Sequence, residues 1–196
     1  ANQVLTTDGS GTVTWVTNAA SAGAAAIAEL TDAITTATSN IGLGSGALDS
    51  LTASSGNYNA ALGINAGTAV TTGDNNVAVG YNALDALTTA SKTVAVGANA
   101  GGSLTTGENS VAIGYDALAT ETTLSGKVAV GYQALRLSTG NYNTGVGYAA
   151  GANLGTGTSN TAIGHWALTN ATTGLNNTTV GRSAGAQITT GDNNVA

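Results

Sequence analysis

Cysteine is absent from the 196 residues, so no disulfide framework and no thiolate metal site is available, and the redox compartment is not legible. Basic residues are nearly absent too: four Lys and Arg stand against ten Asp and Glu, a net charge of −6. That balance argues against nucleic acid or an anionic membrane surface as partner, since both need a basic face. No apolar run approaches the roughly 18 residues of a membrane span, and no basic stretch precedes an apolar one as in a signal peptide. With one histidine and few carboxylates, neither an acid–base pair nor a Ser-His-Asp set can be assembled. "GLGSG" (42–46) is not followed by a helix that could take a phosphate. Neither enzyme chemistry nor a cofactor is therefore expected. Leu, Ile, Val and Phe together number only 37, a level that ordinarily signals disorder.

What is there is a repeat. "NNVAVGYNAL" (75–84), "NSVAIGYDAL" (109–118), "GKVAVGYQAL" (126–135) and "NTAIGHWAL" (160–168) restate one phrase. The glycines closing the "VAVG" tetrads serve as anchors: Gly44, Gly63, Gly80, Gly97, Gly114, Gly131, Gly147, Gly164 and Gly181. Their spacings are 19, 17, 17, 17, 17, 16, 17 and 17. A fixed short period of this kind is the mark of a solenoid.

Within each copy, a branched aliphatic residue precedes the anchor, and a Val, Ile, Ala or Thr stands three before it, with a small residue between them. This alternation has strand period, and it predicts the branched residues on a buried face and the small one on the other. Three residues after every anchor comes Ala. The next residue is Leu or Gly in near-alternation, as if Leu from one coil filled the space left by Gly in the next. Seven residues before most anchors another Gly recurs, as for a turn with positive φ. Each copy thus reads as strand, turn, strand, turn, too short for a βαβ unit. The expected fold is all-β: a parallel β-solenoid or β-roll of about nine 17-residue coils over 40–196, roughly 43 Å long at the usual strand spacing. Its Ala-rich core is thin against the cost of ordering the chain, so an obligate oligomer is expected.

The first forty residues differ. "QVLTTDGSGTVTWV" (3–16) reads as two alternating strands about a Gly-rich turn, which makes 1–17 an N-terminal β-hairpin. Over 18–39 the apolar spacing changes to 3-4-3-4, through Ala20, Gly23, Ile27, Leu30, Ile34 and Ala37. That pattern predicts a short coiled-coil helix with Ile27, Leu30 and Ile34 in its seam, or a lone helix capping the first coil. The final "GDNNVA" stops two residues before the next anchor would fall, so the chain reads as a segment of a longer protein.

"NSVAIG" (109–114), "NNVAVG" (75–80) and "NTAIG" (160–164) resemble the head repeats of trimeric autotransporter adhesins, a resemblance covering residues 40–196. It implies left-handed parallel β-rolls packed three abreast, although the period here is a few residues longer. "QVLTTDGSGTVTWV" looks like sequences of bacteriophage tail fibres, and hairpin, short coiled coil and solenoid in series look like a phage fibre. Together these resemblances imply a homotrimer, a structural fibre in the virion tail. Other fibre or baseplate proteins would be its partners, and it would support or contribute to binding of a host-surface glycan or protein. The alternative is the head of an adhesin on the bacterial cell surface. No membrane insertion is expected.

Among the residues that could form a site, Tyr81, Tyr115, Tyr132 and Tyr148 each follow an anchor, as do His165 and Arg182. A slot that accepts Tyr, His and Arg is solvent-facing, so a catalytic His165 is not expected. The tyrosines form a candidate exposed row, fit either to stack on sugar or to pack between chains. Asp74 and Glu108 sit at equivalent positions two coils apart, about 9.6 Å, too far to share one Ca²⁺. Thr72, Thr89, Thr106, Thr123, Thr139, Thr156, Thr173 and Thr190 form an unbroken ladder. It reads as hydroxyls bonding along the stack; an ice-binding face would need a broader array than adjacent "TT" pairs can point outward.

Overall fold

The computed structural model describes residues 39–51, 55–120, 122–123 and 125–196, together with strands at 3–7, 13–17 and 33–35. It is all-β, with no helix among the described residues. Strands β1 (Gln3–Thr7) and β2 (Val13–Thr17) pair antiparallel, Leu5 opposite Trp15. Strand β3 (Ala33–Thr35) begins a ten-stranded sheet. Nine three-residue strands follow: β4 (Ile41–Leu43), β5 (Ala60–Leu62), β6 (Val77–Val79), β7 (Val94–Val96), β8 (Val111–Ile113), β9 (Val128–Val130), β10 (Thr144–Val146), β11 (Thr161–Ile163) and β12 (Thr178–Val180). These nine pair in parallel, each with the next, in a register that sets every anchor over the one before. The result is a β-solenoid of about eight turns. The 16-residue coil between Gly131 and Gly147 keeps the same strand register, Thr144 opposite Val128.

Ile34 is not helical. It pairs with Gly42 in the antiparallel β3–β4 contact, which covers the first edge of the parallel stack. β-branched Ile34 and Thr35 suit a strand, and an edge strand otherwise leaves a row of unpaired backbone groups. Ile27 and Leu30, and with them most of the expected helix, lie outside the described residues, as does the turn expected at 8–12.

The strands face opposite to the expectation. In each strand the central small residue is the buried one, while its branched neighbours are half-buried or exposed. Ala78, Ala95, Ala112, Ala129 and Ala162 line the lumen. The reason is lumen width. Leu from the turn reaches across to the strand, so that a Cβ added at Gly145 would stand 2.8 Å from Leu135 Cγ. The position takes Ala or Gly in β4 to β11, and only the last strand holds a larger residue there, Thr179. Hydropathy alone would put Val inside; the narrow bore puts it outside.

The Leu/Gly near-alternation has the expected meaning. A Cβ on Gly67 would lie 2.9 Å from Leu48 Cδ2, on Gly101 2.8 Å from Leu84 Cδ2, and on Gly151 2.6 Å from Leu135 Cδ2. Each Leu thus occupies the place left by the following Gly. These leucines hold φ near +50° (Leu84 51°, Leu135 50°, Leu168 46°). The left-handed conformation costs about 1–2 kcal/mol, which full burial of a Leu, worth about 1.5–3 kcal/mol, offsets. A second inward row, seven residues after each anchor, supplies Val70, Leu87, Leu104 and Leu154.

Glycine has two different duties. The anchors have φ between 126° and 137°, and a Cβ on Gly80 would stand 2.6 Å from the carbonyl oxygen of Gly97. The glycines seven before an anchor mostly lack positive φ, against expectation. They are small because the next coil's turn passes close: a Cβ on Gly157 would lie 2.5 Å from Gly174 O. In those turns the left-handed residue is instead Asn75, Asn109, Tyr142, Ser159, Asn176 or Asn193, five before the next anchor.

Four residues before each anchor runs a feature the sequence reading passed over: a buried column of Asn40, Asn59, Asn76, Asn143, Asn160 and Asn177. Each side-chain oxygen accepts the backbone N–H of its successor, Asn59 to Asn40 at 2.7 Å and Asn160 to Asn143 at 2.8 Å. Each side-chain amide donates to the carbonyl of the next coil's turn, Asn59 to Gly73 and Asn160 to Gly174, both at 2.8 Å. Buried polar groups must be paired, and this column pairs both the turns and itself. Thr93, Ser110 and Lys127 interrupt it. Lys127 is fully buried, and its ammonium donates to the carbonyl and hydroxyl oxygens of Ser138. Ser138 occupies the inward row that holds Leu, Val, Ala or Ile in the other described coils, so the polar exchange at one site is matched at the other.

Candidate binding surface

Three sets of outward residues follow from this frame. The first is aliphatic. Because the small residues turn inward, the two outer positions of every strand form parallel rows along one face, and no member of either row is buried. Ile41, Leu62, Val96, Ile113, Ile163 and Val180 are exposed, Leu62 at 53% and Val180 at 60%. A shallow apolar depression of about 120 Å³ lies among Ile41, Leu43, Ala60, Leu62 and Val79.

The second is aromatic. Tyr115 and Tyr132 stack at 5.5 Å and 12°, Tyr132 and Tyr148 at 4.9 Å and 10°, Tyr148 and His165 at 5.1 Å and 20°. Trp166 closes the column, 4.4 Å from His165 and edge-on to Tyr148. The rings turn their faces to one another and their edges to solvent. A sugar therefore cannot lie along this part of the row face to face, as a flat exposed row would allow. Tyr81 is not part of the column: Ala98 stands in the rung between it and Tyr115. His165 is an exposed ring stacked on Tyr148.

The third is polar. Beside the aromatic row, Asp85, Asn99, Gly102, Ser103, Asp116, Ala119, Thr120 and Arg136 line a notch of about 380 Å³. Gly102 and Ala119 leave the space; Asp85 stands one coil before Gly102 on one side and Arg136 one coil beyond Ala119 on the other. Asn99 donates to Asp116 at 3.1 Å. Partial burial raises the Asp85 carboxyl above the ordinary aspartate range, against the pull of the backbone N–H groups of Asp85 and Ala86. Arg136 Nε is buried without a hydrogen-bond partner.

The remaining candidates serve the frame. Asp74 accepts the backbone N–H of Asn57 at 2.6 Å and Asp192 that of Leu175 at 2.7 Å, so both carboxylates bridge one coil to the one before. Among the described residues no three His, Cys, Asp or Glu come together in a way that could hold a metal ion. The threonine ladder is exposed along its whole length, as a single rank. The hydroxyls that bond along the stack belong to the neighbouring row: Thr71 donates to Thr88 O and Thr88 to Thr105 O, both at 3.1 Å. Comparison of the chain with protein-family models, curated proteins and solved structures found no match.

Proposed function

We propose that this chain is a segment of a homotrimeric structural fibre, part of a bacteriophage tail, where it forms a stiff spacer that holds or contributes to a receptor-binding tip. The observation that carries this reading is the row of exposed aliphatic residues before the anchors, flanked over β4 to β9 by a second apolar row, on the outside of a parallel stack. A contiguous apolar face on a repeat protein is an association surface, and the narrow Ala-lined lumen gives a single chain little core of its own. The number three and the viral setting come from the resemblance of the repeats to trimeric adhesin heads and of the N-terminal segment to tail-fibre sequences. The alternative remains the head of a trimeric adhesin displayed on a bacterium.

Sedimentation equilibrium and native mass spectrometry of the chain test the assembly. A trimer is expected, and Leu62→Asp with Ile113→Asp should dissociate it; a stable folded monomer of the unaltered chain would overturn the proposal. Gold-labelled antibody against the chain separates the two settings. Labelled virion tails support the fibre, and label on virus-free bacterial cells supports the adhesin.

A further inference from the structure

The aromatic column has a missing member. The backbone holds Tyr81, Ala98, Tyr115, Tyr132 and Tyr148 in one line. Asn99 N–H donates to Tyr81 O at 2.9 Å, Asp116 N–H to Ala98 O at 3.1 Å, Gln133 N–H to Tyr115 O at 2.9 Å, and Ala149 N–H to Tyr132 O at 2.8 Å. From Tyr115 to His165 each rung carries a ring, at spacings of 5.5, 4.9 and 5.1 Å. In the rung of Ala98 there is only a methyl group. Two rungs separate Tyr81 from Tyr115, about 9.6 Å at the strand spacing, and both tyrosines are about half exposed. The face of Tyr115 turned toward Ala98 is therefore the one ring face in this part of the column that no other ring covers.

We propose that the vacancy between Tyr81 and Tyr115 is a slot for one pyranose ring of a neutral glycan, with the adjoining notch of Asp85, Asn99, Asp116 and Arg136 reading its hydroxyls. A ring centred there would stand about 5 Å from each wall, within the range of favourable ring contacts. Close contact of a planar ring on both faces would need about 7–8 Å between the walls. The slot is wider, which suits a puckered saturated ring with axial hydrogens on both faces. The notch supplies what a bare aromatic clamp lacks. It begins one residue beyond the slot, since Asn99 follows Ala98 and Asp116 follows Tyr115, and it offers carboxylate acceptors, an amide and, at its far end, the side chain of Arg136. An aromatic side chain from another copy would fill the slot and leave those groups unused. A nucleobase would bring phosphate to a chain of net charge −6.

The inference deepens the receptor-binding part of the proposed function and rests on it for the source of the glycan. Saturation-transfer NMR of the whole chain with methyl glucoside, methyl galactoside, methyl mannoside and N-acetylglucosamine, and with glucuronate as the charged control, tests it. At least one neutral sugar should bind, and glucuronate more weakly. Ala98→Tyr completes the column without disturbing its neighbours and should weaken binding at least about tenfold; Arg136→Gln should weaken it less. Failure of every neutral sugar to bind, or equal binding by Ala98→Tyr, overturns the proposal. So does dissociation of the oligomer by Ala98→Tyr together with an absence of sugar binding, which would assign the slot to a partner's ring. Sedimentation of the same samples separates the two readings: a monomer that binds sugar removes the fibre assembly and keeps the slot, and an oligomer that binds none does the reverse.

Discussion

Asn160 and Asn177 hold each other twice. The backbone N–H of Asn177 donates to Asn160 Oδ1 at 2.9 Å, and its side-chain amide reaches the same oxygen at 3.0 Å. Asn160 in turn donates to Gly174 O at 2.8 Å. Asn160→Ala would leave the buried Asn177 N–H and the Gly174 carbonyl unpaired together. Each buried orphan costs about 1–3 kcal/mol, so a loss of about 2–5 kcal/mol is expected. In a repeat stack it should fall on the coils next to the change. Hydrogen exchange should show faster exchange at Asn177 and Thr178 than at Val77 and Asn76.

The two kinds of left-handed glycine should respond differently to a methyl group. Gly97→Ala meets a φ of 129° and a backbone contact 2.7 Å away at Gly114, neither of which can give. Gly101→Ala meets φ 59° and, at 2.8 Å, the end of the Leu84 side chain, which can rotate. The first should cost at least about 3 kcal/mol and the second less than that. Urea denaturation of the two variants side by side checks the order.

Lys127 and Ser138 should behave as a unit. Ser138→Leu restores the apolar residue found in other coils but removes the hydroxyl to which Lys127 and Asn143 both donate, and crowds the ammonium at the Ser138 carbonyl. The expected cost is about 3 kcal/mol, in the range for disrupting a buried charged group. Lys127→Asn with Ser138→Leu recreates the arrangement of Asn76 and Leu87 and should recover most of that loss. A double-mutant cycle with a coupling below about 0.5 kcal/mol would show the two sites to be independent.

Asp85 gives a sign to the pH dependence. Its carboxyl is raised above the unfolded value by desolvation, so the protonated form favours the fold. The contribution is fully present below the unfolded pKa and is lost as pH rises through the folded one. Asp85→Asn should therefore raise the melting temperature at neutral pH and leave it nearly unchanged at pH about 3, below the ordinary aspartate value. A wild-type melting temperature that fell on acidification through this range, with Asp85→Asn removing the fall, would reverse the sign.

The period, the anchors, the universal Ala three residues after each anchor and the interlocking of Leu84 with Gly101 were legible because each leaves a residue-type trace at fixed spacing. The direction in which Val77 and Val79 face was not. Alternation shows that two sides differ, but which side is the interior depends on the bore of the coil, and that is set by Leu reaching over from the turn. The asparagine column was hidden for another reason. Asn76 follows Asn75 in "NNV", and both look like turn residues, yet Asn75 carries the positive φ while Asn76 is buried. Ile34 fitted a heptad over a short window, and its pairing with Gly42 was set by the open edge of β4, which no local pattern encodes. The tyrosine positions were readable, but the faces of their rings were not, because stacking depends on the rung spacing and on the rotamer each neighbour permits.

The coil between Gly131 and Gly147 is one residue short, yet Thr144 still lies opposite Val128 and Thr161. The missing residue is absorbed in a corner and the ladder does not notice. A gene that gained or lost one whole copy of the phrase would consequently change the molecule's length by a single step of about 4.8 Å and leave all other positions as they were. Such a solenoid works as a ruler whose graduations are written in the coding sequence, and its length can be adjusted by recombination between copies alone.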